Sequence, residues 1–318
     1  MTTEKGITHL LLIIIVSLVL GALVVAKNSS SIPVFQTSSP SAVPSQNQTD
    51  MEQSPTFIPT LTPALIPTQI APPTSTPKPP AQTGPPGAGL TSKTVATEKG
   101  NFSVTILMVD LNGAKMMTDT ASDSECSNDC PTLSLKDFVQ RNGGFAGVNG
   151  SYFCPDSYSE CSGKKNAFDF PVYNSRLGKW INQGNLFWNS RAMVYFDGSG
   201  IHYKQSANEF SGGASAGIVN YPGILNEGNV QIDDNQSGLS DKQKAKGTKV
   251  GIGVSGDKNV MVVIAQNVNM QEFGYVFKAL GAKGAMNLDT GGSTALFYNG
   301  SYVFGPGRGL GNAIIFTR

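Results

Sequence analysis

Histidine is nearly missing from this chain, with 2 residues in 318. That excludes a histidine-rich metal site. It also leaves any serine nucleophile without a neighbouring base, and no G-x-S-x-G is present. His202, beside Tyr203, reads as a surface or packing residue. Charge is scarce too: Asp, Glu, Lys and Arg make up 14% and nearly cancel, for a net +1. No basic surplus exists to hold phosphates of a nucleic acid, so no nucleic-acid partner is expected. No cofactor is called for by any motif. No internal repeat is evident. Cysteine is absent outside one stretch, Cys126 to Cys161. Proline is sparse after Ser92, with Pro131, Pro155, Pro171, Pro222 and Pro306, whereas 14 of the 19 prolines fall between Lys27 and Ser92.

The first 27 residues hold the one long apolar run. Leu10 to Ala26 is broken only by Ser17 and Gly21. A spanning helix needs about 20 residues, with about 17 as the lower limit, and this run reaches that limit. A signal-peptide core is shorter, although Val24-Val25-Ala26 would pass as a cleavage site. We expect a single-pass membrane anchor with the rest of the chain extracytoplasmic, or a secreted protein if the segment is cleaved. The proline-rich stretch at 28–92, filled out with Ser, Thr and Gln, suits an extended, disordered linker.

The folded part is expected to run from about Lys93 to Arg318, enough for one sizeable core. Strands are predicted at Asn101 to Leu111, Phe145 to Val148, Ala285 to Leu288 and Asn312 to Thr317. Hairpins are predicted from Ala192 to Phe196 with Ile201 to Lys204, from Val250 to Val254 with Val260 to Ala265, and from Ala295 to Tyr298 with Ser301 to Phe304. Two helices carry cap signals. Ser134 and Asp137 can open one that ends near Arg141, and Asn269 and Glu272 can open one that Gly281 stops. Many strands, few helices and hairpin connections indicate an α+β fold, a sheet-dominated single globular domain.

Cys126, Cys130, Cys154 and Cys161 allow three pairings. The neighbour pairs Cys126–Cys130 and Cys154–Cys161 are the simplest, because each closes a short loop, and export favours disulfides. A four-cysteine zinc site is the rival. Its ligands come in close pairs with two to four intervening residues, a spacing that only the first pair meets.

One stretch combines the features of a ligand site: G-A-K-G-A-M-N-L-D-T-G-G-S-T, residues 281–294. A short apolar strand delivers Asp289, glycines follow that let backbone approach a ligand, and Ser293 and Thr294 add hydroxyls. D-T-G also suggests an aspartic protease, but such enzymes need two equivalent aspartates. Here there is one D-T-G, close to the chain's end. Elsewhere Glu227 and Asp197 abut glycine, and Arg191, Lys249 and Arg308 start strands or lie in glycine-rich loops. A site for a phosphorylated sugar wants cations for phosphate and a carboxylate near the anomeric carbon.

Six pieces in order then resemble a known family. They are A-G-V-N-G-S-Y-F (146–153), R-A-M-V-Y-F-D-G (191–198), Y-P-G-I-L-N-E-G (221–228), V-G-I-G-V (250–254), L-G-A-K-G-A-M-N-L-D-T-G-G-S-T (280–294) and R-G-L-G-N-A-I-I-F (308–316). Together they are similar to the phosphodiester glycosidase domain, the catalytic domain of the lysosomal uncovering enzyme, whose bacterial members are associated with exopolysaccharide. The resemblance covers nearly all of Phe102 to Arg318. It implies a hydrolase that cleaves between a sugar's anomeric carbon and a phosphodiester, with a carbohydrate or sugar phosphodiester as substrate.

The resemblance also assigns candidates. Asp289 would be catalytic; the resemblance leaves the second carboxylate unidentified, and Glu227, then Asp197, are the candidates because each abuts glycine. Asn149, Gly150, Arg191, Lys249, Gly291, Gly292, Ser293, Thr294 and Arg308 would bind substrate. Two positions depart from the family pattern. Thr290 replaces a glycine, and Lys249 replaces an arginine and so loses the bidentate fork. A glycan-binding module of the same fold, without catalysis, is the alternative that these departures leave open.

Overall fold

The computed structural model describes residues 87–186, 190–235, 238–256 and 258–318. The expected anchor at 1–27 and most of the linker lie outside the described residues. All described residues belong to one compact unit, Ser75–Arg318. Among them no helix is long and apolar enough to cross a membrane.

In chain order the strands are β1 (Gly89–Thr97), β2 (Gly100–Asp110), β3 (Lys115–Thr120), β4 (Ala146–Asn149), β5 (Val172–Asn174), β6 (Lys179–Ile181), β7 (Ala192–Phe196), β8 (Ile201–Lys204) and β9 (Ala216–Asn220). They continue as β10 (Gly223–Asn226), β11 (Asn229–Val230), β12 (Gly247–Val254), β13 (Asn259–Val268), β14 (Gly284–Asn287), β15 (Leu296–Tyr298), β16 (Ser301–Phe304) and β17 (Asn312–Thr317). Three α-helices are described: α1 (Leu135–Arg141), α2 (Asp241–Lys244) and α3 (Met270–Ala279). The molecule is dominated by sheet with few helices, as expected. The strand β1 begins ahead of Lys93.

The strands form three sheets. A seven-stranded sheet has the order β1-β2-β13-β12-β14-β10-β11. Two five-stranded sheets follow, β16-β15-β4-β17-β3 and β6-β5-β9-β7-β8. Every ladder between named strands is antiparallel.

Period-two alternation buries both faces of the large sheet. Leu107 and Val109 of β2 join a core shared by all three sheets, with Val194, Ile218, Ile252 and Ile314. Val104 and Ile106, from the other face, pack instead with Phe273 and Phe277 of α3. Both rings are fully buried, each worth about 1.5–3 kcal/mol relative to exposure. The expected capping box holds α3: Asn269 accepts from Glu272 N, and Glu272 reaches back to the Asn269 N–H. Ser134 likewise caps α1, which lays Leu135, Phe138 and Val139 on the second sheet.

This arrangement sets the site at a seam. The strand β14 lies inside the large sheet, between β12 and β10. The chain then leaves that sheet through residues 288–295 and enters the second sheet as β15, which pairs with β4. Where it crosses, Asp289 N donates to Gly150 O at 2.9 Å, so the ends of β14 and β4 meet.

Candidate active site

A pocket of about 210 Å³ opens at this seam. Asp289, Thr290, Ser293 and Arg308 line one part of it, joined by Tyr152 from the turn after β4. Ser240, Lys242 and Gln243 come from the start of α2, and Phe153, Pro155 and Tyr158 from the segment that follows Tyr152.

Asp289 is held at this position from several directions. Asn149 straps the two ends of the glycine loop together: its Nδ2 donates to Asp289 O at 2.7 Å and its Oδ1 accepts from Ala295 N at 3.0 Å. Gly291 takes φ +73°, a left-handed turn that favours glycine. A Cβ on Gly292 would run into the Arg308 guanidinium, so glycine there lets the arginine lie against the loop. Arg308 N donates to Gly292 O at 2.9 Å. Thr290, where the resemblance led us to expect glycine, has φ −116° and ψ 178°, extended backbone that any residue adopts.

Burial pushes the Asp289 carboxyl up from 3.8 to about 7. The Ser293 hydroxyl, the Arg308 charge and the Thr290 N–H pull the other way without cancelling it. Near neutral pH the group therefore exists in both forms, as suits proton transfer. Arg308 Nη1 is buried and has no hydrogen-bond partner. Among the described residues four buried side-chain polar atoms lack a partner, and Asn287 Oδ1 and Thr294 Oγ1, both from this segment, are two of the others. Such atoms are rare in native structures and each calls for an explanation.

The disulfides pair as the short loops suggested, Cys126–Cys130 and Cys154–Cys161. The second has a consequence for the pocket: its loop carries Pro155 and Tyr158. Arg308 lies 5.0 Å from the Tyr158 ring centre, and Lys242 Nζ also lies 5.0 Å from it. Two cations and one carboxyl thus share the pocket.

Several sequence-predicted residues lie elsewhere or act differently. Asn149 is fully buried and both ends of its amide bond backbone, so it braces the loop and offers no free group to a sugar. Gly150 accepts the Asp289 N–H through its carbonyl. Lys249 is also buried, and its Nζ donates to Lys242 O at 2.9 Å and Ala245 O at 3.0 Å, tying down the end of α2. Burial lowers its pKa. Arg191 stacks on Tyr221, 4.2 Å from the ring centre, and is not part of the pocket lining. Thr294 is buried and does not line the pocket.

Neither proposed second carboxylate reaches the pocket. Glu227 is exposed in the β10–β11 turn with φ +51°. Its neighbour Gly228 bonds Lys283, at the start of β14, whereas Asp289 follows the end of that strand. Asp197 closes the β7–β8 turn, accepting from the Ser199 hydroxyl and the Ser199 and Gly200 N–H groups. Those bonds hold its carboxyl well below the usual range. His202, 2.8 Å from Asp197, belongs to the same hairpin.

The residues missed from sequence are Tyr152, Tyr158, Ser240, Lys242 and Gln243. One signal was present: Ser240 and Gln243 form a capping box, S-D-K-Q.

Comparison with known proteins gives a consistent result. A family model described as phosphodiester glycosidase matches residues 142–317. Among solved structures, the fold resembles the catalytic domain of zebrafish N-acetylglucosamine-1-phosphodiester alpha-N-acetylglucosaminidase, auto-inhibited by its pro-peptide. The TM-score is 0.57 at 14% identity, over 73% of this chain and 83% of that one. A hypothetical protein from Synechocystis aligns with a TM-score of 0.50 at 14% identity, over 73% of this chain and 62% of its own. The chain thus spans less than two thirds of the Synechocystis protein. At these identities the likeness shows the fold. No curated protein matches the chain.

Proposed function

The chain belongs to the phosphodiester glycosidase family, and from that premise we propose that it hydrolyses the bond between a sugar's anomeric carbon and a phosphodiester. The observation that carries this reading is one pocket shared by a carboxyl titrating near 7 and an arginine with a buried, unpartnered N–H.

In this mechanism Arg308 holds the phosphate, with Lys242 assisting. Asp289 faces the anomeric carbon and, when ionised, takes a proton from the attacking water. The carbon–oxygen bond breaks, the water oxygen joins the sugar, and the bonding pair leaves with the phosphate as a phosphomonoester. Charge collecting on the phosphate is stabilised by the fixed cations. Phosphate is a good leaving group without protonation, so a single carboxylate suffices. That fits the absence of Glu227 and Asp197 from the pocket lining.

The substrate is a glycan or sugar phosphate outside the cytoplasm, reached from an anchor at Leu10 to Ala26. The two disulfides support an oxidising compartment. Neither family departure now favours a binding module: Thr290 has unstrained backbone, and Lys249 braces α2.

The test is a screen of sugar-1-phosphodiesters and nucleotide sugars against the purified protein, reading reducing sugar and phosphomonoester released in equal amounts. Glycan binding with no turnover on any of them would replace this reading with the binding module.

A further inference from the structure

Tyr152 has a hydrogen-bonding arrangement that the mechanism above does not use. Its backbone N–H donates to Asn220 Oδ1 at 3.1 Å, which fixes the turn after β4. Its hydroxyl oxygen accepts from two amides, Asn287 Nδ2 at 2.7 Å and Gln243 Nε2 at 3.3 Å. The orientation of the Asn287 amide is settled by a second bond, since Nδ2 also donates to Leu288 O at 2.6 Å. Turning the amide over would set two oxygens against each other there. A phenol has two lone pairs and one proton. With both lone pairs accepting, only the proton remains to be given. The neutral Thr290 hydroxyl also neighbours the phenol oxygen. A phosphate oxygen is a stronger acceptor.

We propose that Tyr152 is a further catalytic residue, donating its hydroxyl proton in a hydrogen bond to a phosphodiester oxygen of the substrate. This rests on the reading of the pocket as a phosphodiester glycosidase site. Tyr152 lines that pocket together with Asp289, Thr290 and Arg308. As the carbon–oxygen bond breaks, negative charge grows on the phosphate, and a fixed donor there binds more strongly than in the ground state. The proton stays on the phenol and no bond of Tyr152 breaks. Burial pushes the pKa of the hydroxyl up to about 12, so it remains a donor throughout the working pH range. The two amides polarise the phenol, which strengthens the bond it donates.

The experiment compares wild type, Tyr152→Phe and Asp289→Asn in three readouts: melting temperature, turnover of a sugar-1-phosphodiester, and affinity for inorganic phosphate by calorimetry. Tyr152→Phe should lower kcat by about 10- to 100-fold, somewhat less than the loss of a whole oxyanion-hole donor. It should weaken phosphate binding several-fold. Asp289→Asn should lower kcat without weakening phosphate binding. If Tyr152→Phe does not fold, Gln243→Met removes one orienting donor together with part of the cap on α2, so it is read beside Ser240→Ala, which weakens the same cap and leaves the donor in place; the rate per folded molecule should fall several-fold further in Gln243→Met. Wild-type rate and phosphate affinity in folded Tyr152→Phe, or a rate in Gln243→Met no lower than in Ser240→Ala, would overturn the proposal while an inactive Asp289→Asn keeps the pocket reading. A wild type that neither cleaves sugar phosphodiesters nor binds phosphate would overturn both.

Discussion

Replacing Asp289 by Asn should stabilise the protein and inactivate it at the same time. Asp289 is 8% exposed, and the pKa of its carboxyl rises from 3.8 to about 7 on folding. The native state thus binds the proton more tightly than the unfolded chain. Its contribution to stability is full below pH 3.8 and is lost as pH rises through about 7. A shift of about three units at about 1.4 kcal/mol each makes the ionised group cost roughly 4 kcal/mol above pH 7. Asparagine removes that cost. It also weakens the bonds from Ser293 and the Thr290 N–H, at about 1 kcal/mol each. The net gain at pH 8 is then about 1–3 kcal/mol, or roughly 2–10 °C in Tm for a domain of this size. At pH 5 wild-type Asp289 is already protonated, and the two proteins should melt closer together. Turnover per folded molecule should fall by about 10²–10⁴-fold. Wild-type kcat/KM should rise with pH through about 7 as the base ionises. Calorimetry at pH 5 and pH 8 with turnover on the same samples checks all of this. A variant that melts lower at both pH values and keeps its turnover would show that Asp289 is a structural cap and refute the reasoning.

Arg308→Lys should raise KM for phosphodiesters about tenfold or more and leave any hydrolysis of neutral aryl glycosides less affected, because lysine lacks the bidentate fork; steady-state kinetics on both substrate types decides it. Lys249→Met should lower both Tm and activity by loosening α2. Lys249→Arg, the residue that the resemblance leads one to expect there, should give no gain in KM, whereas a lysine that held phosphate would be improved by it. Serine at both Cys154 and Cys161 should lower activity by freeing the loop that carries Tyr158, while serine at both Cys126 and Cys130 should lower it less. Mass measurement without reduction should find no free thiol in the wild type, and loss of the longer bridge should cost no more than about 2–5 kcal/mol in a melt.

The elements that local chemistry specifies were legible. The cap at Asn269, the stop at Gly281 with φ +80°, and the hairpin from Ala192 to Lys204 stand where the sequence put them. The strand β3 was not legible, because Thr118, Asp119 and Thr120 are polar yet buried. Their partners are distant in sequence: Asp119 meets Arg141 and Asn142, and Thr120 meets Asn174. The short strands β5 and β6, of 3 residues each, carry too few residues for alternation to declare itself.

At the site, Asp289 could be found because an acid ending an apolar strand before glycines is a local pattern. The same adjacency misled at Glu227 and Asp197, since acids beside glycine are also ordinary turn residues. Asn149 and Lys249 were found as important positions, but their bonding partners turned out to be backbone. Tyr152 was out of reach of any local rule: its hydroxyl is set by residues 135 and 91 positions away.

The central claim is that the bond broken lies on the sugar side of the bridging oxygen. Hydrolysis of a sugar-1-phosphodiester in ¹⁸O-water, with mass analysis of both products, tests it directly. The account requires the label at the anomeric hydroxyl of the released sugar and none in the phosphomonoester. Label in the phosphate instead would mean attack at phosphorus, and Asp289 would then serve a phosphodiesterase rather than a glycosidase.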